Sequence, residues 1–255
     1  MGGTAVADGV AVDGPTARGG VLVVGLAGPS GVGKTSLSDR LVGAEEGGLG
    51  PGGRKAFDSC VVLHGDHYFF AKGPPPPYAE RPNMETPDLV DWTSLLRDLD
   101  AAKRQMLARV AASGGLHVIL VESFLLLAHA PLVQRMDLIF VQLADRETCL
   151  TRRLSRSVNR APAEAHDLAV YFAQHVWPSF EEHTLAPLRA LQRGGDARLV
   201  VVETATRSPG LVLEHLLDCI QGFFWWARKH RAGFYTYRAS SVAVLGQSAG
   251  CRANV

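Results

Sequence analysis

Short apolar runs alternate along this chain with longer segments in which apolar residues recur at helical spacing. The apolar runs predict five strands, at 21–27, 60–64, 117–121, 137–143 and 198–202. The longer segments predict helices at 34–43, 89–112, 145–156, 168–193 and about 209–230. Strands and helices that alternate in this order predict an α/β fold, in which helices cover both faces of a five-stranded parallel sheet.

Gly-rich and Pro-rich segments interrupt this pattern and mark the limits of one domain, at 20–231. Residues 1–19 are rich in Gly, Ala and Asp and predict a disordered tail, and 232–255 form a C-terminal tail without a clear pattern. Inside the domain we expect a flexible insertion at 44–56, a loop that carries Pro74 to Pro77, and an exposed lid over 157–167, or about 155–170 in all.

Composition narrows the partners and the compartment that we expect. The 255 residues include 26 basic and 25 acidic side chains, and 47% of the residues are hydrophobic. A net charge of +1 gives no electrostatic reason to expect nucleic acid or a membrane as partner. No apolar run approaches the roughly 20 residues of a membrane span, and the N-terminus lacks a secretory signal. Four widely spaced cysteines without a metal-binding pattern indicate free thiols, so we expect a cytoplasmic protein. As a separate expectation, the protein is a monomer or a weak homodimer.

The sequence GPSGVGKTS follows the first predicted strand and opens the first predicted helix. It fits the pattern G-x-x-x-x-G-K-[ST] of a phosphate-binding loop in the strand–loop–helix context that this loop requires. Backbone N–H groups of such a loop point at phosphate oxygens, Lys34 reaches the β- and γ-phosphates, and the Thr35 hydroxyl suits Mg²⁺. We therefore predict a nucleoside triphosphate site formed by Gly28, Pro29, Ser30, Gly31, Val32, Gly33, Lys34, Thr35 and Ser36.

Two carboxylates follow other strands of the predicted sheet, Asp66 after the second strand and Glu122 at the end of the third. Ligands of parallel sheets bind at the carboxyl ends of the strands, so both should lie beside the phosphate loop. A carboxylate repels a triphosphate unless it binds Mg²⁺ or takes the proton of a hydroxyl. The arrangement predicts phosphoryl transfer to a small-molecule hydroxyl. A switch GTPase would need D-x-x-G and [NT]-K-x-D motifs, and neither occurs.

Six segments in this order resemble the nicotinamide riboside kinases of the uridine-kinase-like branch of P-loop kinases. They are GPSGVGKTS at 28–36, GDHYFF at 65–70, NMETPDLVDW at 83–92, VESFLLL at 121–127, CLTRRLSR at 149–156 and YFAQHVWP at 171–178. The resemblance runs over about 21–230. It implies a three-layer α/β/α P-loop kinase with a lid. It also implies that ATP, with Mg²⁺, phosphorylates the ribose 5′-hydroxyl of nicotinamide riboside to give nicotinamide mononucleotide, a salvage step towards NAD.

The resemblance also implies roles for individual residues. Catalysis would fall to Asp66 as the base, with Lys34 and Glu122, and the metal ligands would be Thr35, Asp66 and Glu122. The residues implied to bind the riboside are Asp66, His67, Tyr68, Phe69, Met84, Glu85 and Arg153. Those implied to bind ATP outside the phosphate loop are Arg152, Arg156, Thr206, Arg207 and Ser208. His175 and Trp177 are interpreted as structural, holding the lid helix against the site.

Three departures from the family concern the acceptor side. Ser123 stands where the family often has Gly, the lid is longer than usual, and Val158 occupies the position of an aromatic residue that stacks on the nicotinamide ring in relatives. Tyr68, Tyr78 or Trp177 are the candidates to replace that stacking. The alternatives are therefore a uridine, cytidine, pantothenate or other small-molecule P-loop kinase, or a nucleotide-binding protein without catalytic activity.

Overall fold

The computed structural model describes residues 19–47, 56–70, 76–157 and 160–229. Within them five strands form one sheet: β1 Gly19–Ala27, β2 Ser59–His64, β3 Gly115–Glu122, β4 Leu138–Leu143 and β5 Leu199–Glu203. All neighbouring strands are parallel, in the order β2-β3-β1-β4-β5. This confirms the α/β prediction and the number of strands.

Helices connect the strands and cover both faces of the sheet. They are α1 Lys34–Gly47, α2 Trp92–Ser113, α3 Ala130–Val133, α4 Arg146–Leu154, α5 Pro162–Tyr171, α6 Trp177–Phe180, α7 Ala186–Arg193 and α8 Pro209–Lys229. Two π-helical turns, Phe172–Val176 and Glu181–Leu185, join α5, α6 and α7 into one uninterrupted helical stretch. No described helix has the length and apolar character needed to cross a membrane.

Successive side chains of the strands alternate between two apolar cores, because neighbouring residues of a strand point to opposite faces. On one face Val118 and Phe140 pack with residues of α1 and α8. On the other face Ile119 and Val141 pack with residues of α2 and α7. The strand residues are apolar almost without interruption because both faces of the sheet are buried.

The central position of β1 in the sheet places the loop between β1 and α1 where the connections between strands change direction. The chain passes from β1 to β2 and β3 on one side of the sheet, and afterwards to β4 and β5 on the other. Open α/β sheets bind ligands at such a switch point, beyond the carboxyl ends of the strands. The segments after β1, β2, β3 and β5 therefore meet at one edge.

The helix boundaries differ from the sequence prediction at four places. The helix predicted to end at 43 continues to Gly47, so the first residues of the predicted flexible insertion are helical. The helix predicted from 89 begins at Trp92, because Asp91 caps it by accepting a hydrogen bond from the Ser94 amide. The helix predicted from 168 begins at Pro162, a residue well suited to a first helical turn, so much of the predicted exposed lid is helical. The helix predicted to run to 156 ends at Leu154.

Several predictions concern residues outside the described ranges: the two predicted tails almost entirely, the middle of the 44–56 insertion, Pro74, and Val158 in the lid.

Candidate active site

The loop between β1 and α1 adopts the backbone that its glycines permit. Gly28, Gly31 and Gly33 all have positive φ, at 143°, 93° and 108°. At Gly31 a Cβ would collide with the carbonyl oxygen of Cys149, because the loop lies directly against α4. Glycine is thus required there both by conformation and by space.

Lys34, the first residue of α1, is buried, with 8% of its surface exposed. Its ammonium group donates hydrogen bonds to the carbonyl oxygens of Gly28 and Pro29, at 3.0 and 3.1 Å. Burial lowers the pKa of Lys34, although the nearby carboxylates of Glu122 and Asp66 act in the opposite direction. A buried ammonium group that is held by carbonyl oxygens alone is well prepared to exchange them for anionic phosphate oxygens.

Thr35 and Glu122 lie together at the edge of the sheet. The Thr35 hydroxyl donates to Glu122 Oε1 at 3.0 Å, and the other oxygen of the same carboxylate lies 2.8 Å from His64 Nδ1. Beside them is a cavity of about 270 Å³, here called the acceptor-side cavity. It is lined by Thr35, Asp39, His64, Gly65, Asp66, His67 and Glu122.

The oxygen atoms of this cavity suit a hard divalent cation such as Mg²⁺, which prefers carboxylate and hydroxyl ligands. Among the described residues no group of three or more His, Cys, Asp or Glu side chains is placed to hold a metal ion by itself. The residues fit a cation that takes one or two ligands from the protein and the rest from phosphate and water, as is usual for Mg²⁺ with nucleotides.

The segment after β2 carries four of the predicted riboside-binding residues, and the structure places them as two pairs with different surroundings. Asp66 and His67 are exposed and line the acceptor-side cavity. Tyr68 instead donates its hydroxyl to Asp98 of α2 at 3.1 Å, and burial raises the pKa of Tyr68 to about 12. Phe69 stacks on Phe124, with ring centres 6.0 Å apart. The contacts of Tyr68 and Phe69 anchor the segment that carries Asp66.

Glu85 is 7% exposed, which is unusual for a carboxylate in a proline-rich loop. Burial raises the pKa of Glu85, and the guanidinium of Arg153 opposes that shift. The continuous helical stretch fixes the loop from the other side: the Met84 amide donates to the Tyr171 hydroxyl at 3.1 Å, and the Ser179 hydroxyl donates to the Glu85 carbonyl oxygen. The structure therefore holds a buried carboxyl group in place at the site.

Arg153 connects this loop with the phosphate loop. One guanidinium nitrogen donates to Ser30 Oγ at 2.7 Å, and another lies 3.9 Å from Glu85 Oε1. Glu85 also interacts electrostatically with Asp66 and Lys34. The segments that carry the predicted base, the predicted hydroxyl-binding carboxylate and the predicted phosphate-binding lysine thus converge.

A second cavity, of about 280 Å³, lies on the other side of the phosphate loop and is here called the donor-side cavity. Arg152 forms part of its wall, donating to the carbonyl oxygens of Val32 and Thr204 at 3.2 and 3.0 Å. The remaining lining residues are Gly31, Val32, Gly33, Ser36, Leu37, Gln142, Arg156, Thr204, Arg207, Pro209 and Val212. Arg152 therefore ties the phosphate loop to the segment after β5.

The three residues predicted to contact adenine occupy different positions. Arg207 lines the donor-side cavity. Thr206 is exposed and is not part of the cavity wall. The Ser208 hydroxyl accepts a hydrogen bond from the Leu211 amide at 3.3 Å, which is the contact of a helix cap at the start of α8.

His175 and Trp177 have packing contacts that agree with a structural interpretation. The His175 ring lies 5.0 Å from the ring of Tyr171, and Trp177 packs at 5.0 Å from Phe180 while its indole N–H donates to Glu181. These contacts are all within the helical stretch that fixes the Glu85 loop.

Sequence reasoning missed several residues of the site. Asp39 lies one helical turn after Thr35, on the same face of α1, so helical spacing alone indicated it. Tyr171 belongs to the YFAQHVWP segment, but its contact with Met84 spans 87 positions and has no local signal. Ser179, Thr204 and Gln142 likewise depend on the tertiary fold.

Comparison with known proteins gives one similar curated sequence at significant level. The chain is 24% identical over 212 residues to nicotinamide riboside kinase 2 of Mus musculus, an alignment that covers 78% of this chain and 95% of the mouse protein. No family model matches the sequence.

Two solved structures resemble the fold loosely. One is named a fructose transport system kinase, from Silicibacter sp. TM1040, with a TM-score of 0.43, 19% identity, and coverage of 76% of this chain and 91% of that chain. The other is a gluconokinase from Sinorhizobium meliloti 1021, with a TM-score of 0.39, 14% identity, and coverage of 82% and 94%. Both scores are below 0.5, so the fold assignment rests on the sheet topology described above. That topology, the phosphate loop and the similarity to the mouse kinase together support a P-loop kinase of small molecules.

Proposed function

We propose that this chain is an ATP-dependent kinase that phosphorylates the ribose 5′-hydroxyl of nicotinamide riboside to give nicotinamide mononucleotide. The observation that carries the proposal is the convergence of Lys34, Asp66 and Glu85 at one edge of the sheet. The ammonium group of Lys34, which would bind phosphate, thus lies near two carboxyl groups that differ in their exposure to solvent. Asp66 is exposed in a cavity, as a base must be, and Glu85 is buried, as a fixed hydrogen-bond acceptor for sugar hydroxyls would be.

The reaction would proceed by displacement at the γ-phosphorus. The 5′-hydroxyl oxygen forms a bond to the γ-phosphorus. At the same time the bond between the γ-phosphorus and the β–γ bridging oxygen breaks, and ADP leaves. Asp66 accepts the hydroxyl proton and later releases it to water. Lys34 exchanges its carbonyl contacts for phosphate oxygens and offsets charge during the transfer.

Thr35, Glu122 and Asp66 would hold a divalent cation, whose chemistry is to neutralise charge on the β- and γ-phosphate oxygens. His64 fixes one oxygen of Glu122, so that the other faces Thr35. Glu85, with its backbone fixed by Ser179 and by the Met84–Tyr171 contact, would orient the ribose.

A second candidate, a kinase of uridine, cytidine or another uncharged acceptor, is favoured by the position of Arg81. Its guanidinium lies 3.9 Å above the Tyr78 ring and 5.5 Å from the ring of Tyr171, next to the Glu85 loop. Nicotinamide riboside carries a pyridinium cation, which a neighbouring guanidinium repels, whereas a neutral base or one with a carboxylate is not repelled.

The test is a panel of acceptors with ADP release as the readout. The panel contains nicotinamide riboside, nicotinic acid riboside, uridine, cytidine and pantothenate, each with ATP and Mg²⁺. The proposal expects nicotinamide riboside to have the highest kcat/KM. A higher value for a pyrimidine nucleoside selects the second candidate. ATP binding without turnover on any acceptor contradicts both and identifies a nucleotide-binding protein without kinase activity.

A further inference from the structure

Gln142 has a polar atom that the fold leaves unsatisfied. The side chain is 3% exposed. Across the described residues, its Oε1 is the one buried side-chain nitrogen or oxygen that has no hydrogen-bond partner. Folds keep few such groups because an unpaired buried acceptor loses its hydration without compensation. This makes the amide a candidate for a contact with a ligand.

The position of Gln142 in the sheet determines which part of a bound nucleotide its side chain would face. It lies near the carboxyl end of β4 and, by strand alternation, on the same face as Phe140, which packs against α1 and α8. It lines the donor-side cavity. Its backbone carbonyl lies so close to Gly28 that a Cβ there would collide with it. Gln142 therefore lies below the start of the phosphate loop, at the bottom of the donor-side cavity.

The walls of that cavity suit a planar aromatic base. The Arg152 guanidinium is held by three carbonyl oxygens, so it offers a fixed planar surface for stacking. Leu37, Pro209 and Val212 supply apolar surface. The volume is about 280 Å³, and the phosphate loop forms one wall. A nucleoside triphosphate with its phosphates on the loop would place its base here, an inference that rests on the proposed function.

A primary amide presents an acceptor and a donor side by side. Adenine offers the complementary pair, its 6-amino group and N7, and Gln is a frequent partner of that edge. A 6-oxopurine offers two acceptors there, O6 and N7, so the Gln oxygen would face one of them in either orientation of the amide. The terminal torsion of Gln is soft, and Oε1 loses no hydrogen bond when the amide turns. We propose that Gln142 reads the 6-amino group of adenine and thereby selects ATP over 6-oxopurine triphosphates.

The test measures binding of ATP, inosine triphosphate and tripolyphosphate by calorimetry, without an acceptor. Inosine triphosphate replaces the 6-amino group of ATP by an oxygen and leaves the rest of the nucleotide unchanged. We expect the unmodified protein to bind ATP roughly 5- to 150-fold more tightly than inosine triphosphate, the selectivity of one bidentate pair. In Gln142→Leu this ratio should fall to within about three-fold of unity, because the variant has no amide.

Controls separate this inference from the proposed function and from misfolding. Tripolyphosphate should bind Gln142→Leu and the unmodified protein equally, since it contacts the loop alone. Gln105→Leu makes the same change on the exposed face of α2 and should leave every affinity unchanged. Gln142→Met, measured in parallel, provides a second side chain without an amide should the leucine variant fail to fold.

Three outcomes would overturn the inference. Equal affinity of the unmodified protein for the two nucleotides removes the selectivity itself. A Gln142→Leu or Gln142→Met variant that keeps the full preference assigns it to another residue. A loss that is equal for both nucleotides shows that the amide does not read the base. Failure of ATP and tripolyphosphate to bind the unmodified protein would overturn the proposed function as well.

Discussion

The two cavities beside the phosphate loop have nearly equal volumes, about 280 and 270 Å³, but opposite charge. The donor-side cavity is lined by Arg152, Arg156 and Arg207 and by no carboxylate. The acceptor-side cavity is lined by Asp39, Asp66 and Glu122 and by no Lys or Arg. Lys34 lies between them, attracted by the carboxylates and repelled by Arg156.

This separation of charge shows how one loop would serve the two reactants of the proposed reaction. Anionic phosphates are favoured where the guanidinium groups lie, whereas a hydroxyl proton and a divalent cation are favoured where the carboxylates lie. Because the carboxylates would repel the triphosphate, their position on one side would also direct the nucleotide to the other. The predictions below test whether each side acts on its own reactant.

The largest effect is expected for Asp66→Asn, which removes a proton acceptor from the acceptor-side cavity. We expect kcat to fall by roughly 10²- to 10⁴-fold, the usual contribution of a general base. ATP affinity measured without a divalent cation should change little, since Asn keeps the shape and Asp66 is not on the donor side. Steady-state kinetics and calorimetry provide the two measurements.

Asp88→Asn is the matched control, because Asp88 is exposed in the neighbouring loop. Full activity of Asp66→Asn would contradict the assigned base, and a large loss in Asp88→Asn would show that the loop charge as a whole matters.

Glu85→Gln should weaken acceptor binding and strengthen the fold. We expect the acceptor KM to rise about 10-fold or more, because hydrogen bonds to a charged group are lost. Burial raises the pKa of the Glu85 carboxyl above its usual value of 4.5. The stabilisation linked to that raised pKa is therefore complete below pH 4.5 and is lost as the pH rises through the folded-state pKa.

Gln does not ionise, so at neutral pH Glu85→Gln should unfold at a temperature higher by on the order of 2–4 °C, the shift that about 1 kcal/mol produces in a chain of this size. Glu80→Gln changes an exposed carboxylate of the same loop and should alter neither KM nor Tm. A lower Tm for Glu85→Gln across the pH range would mean that pairing with Arg153 outweighs burial.

Arg152→Lys should act on the donor side alone. Lysine keeps the positive charge but cannot reproduce two hydrogen bonds from one planar group, to Val32 and to Thr204. We expect ATP affinity to fall about 10-fold while the acceptor KM stays within about two-fold, given the net value of two ordinary hydrogen bonds.

Arg146→Lys is the control for Arg152→Lys, on an exposed position of the same helix. An equal effect of Arg152→Lys on both reactants would show that the two sides are not independent.

The smallest effect concerns Ser30, whose hydroxyl accepts the hydrogen bond from Arg153. Ser30→Ala should change acceptor affinity by about five-fold, the value of one hydrogen bond. In a double-mutant cycle, the effects of Ser30→Ala and Glu85→Gln on the free energy of acceptor binding should differ from additivity by at least about 0.5 kcal/mol if Arg153 couples the two loops. Strict additivity would show that Arg153 transmits nothing between them.

The sequence predicted those parts of the site that depend on neighbours along the chain. The phosphate loop is one continuous segment after a strand, and Glu122 is the last residue of β3, so strand–loop–helix logic places both. Ser208 shows the limit of that logic: the residue resembled part of an adenine loop, and it caps α8.

The Glu85 cluster was beyond reasoning from pattern. It joins residues of the phosphate loop, the proline-rich loop, α4 and the long helical stretch, and each contact is set by how those elements pack. Resemblance pointed to Glu85 and Arg153, but their shared contact and the role of Tyr171 required the structure. Tyr68 similarly fitted a cavity wall by motif, whereas its hydroxyl pairs with α2.

The π turn Phe172–Val176 makes the length of the chain, and not only its composition, part of the site. A π turn holds one residue more than an α turn. Tyr171 and Ser179, eight positions apart across it, therefore lie almost in line, as residues seven apart do in an unbroken helix, about 20° from alignment. Both consequently reach the Glu85 loop. Deleting one exposed residue there, such as Gln174, would turn the π turn into an α turn with Tyr171 and Ser179 seven positions apart, and so would keep the two side chains aligned. Straightening the π turn without a deletion would instead rotate Ser179 by about 100° away from its carbonyl partner. Homologues that lack one residue here should accordingly have an unbroken α-helix in place of the π turn.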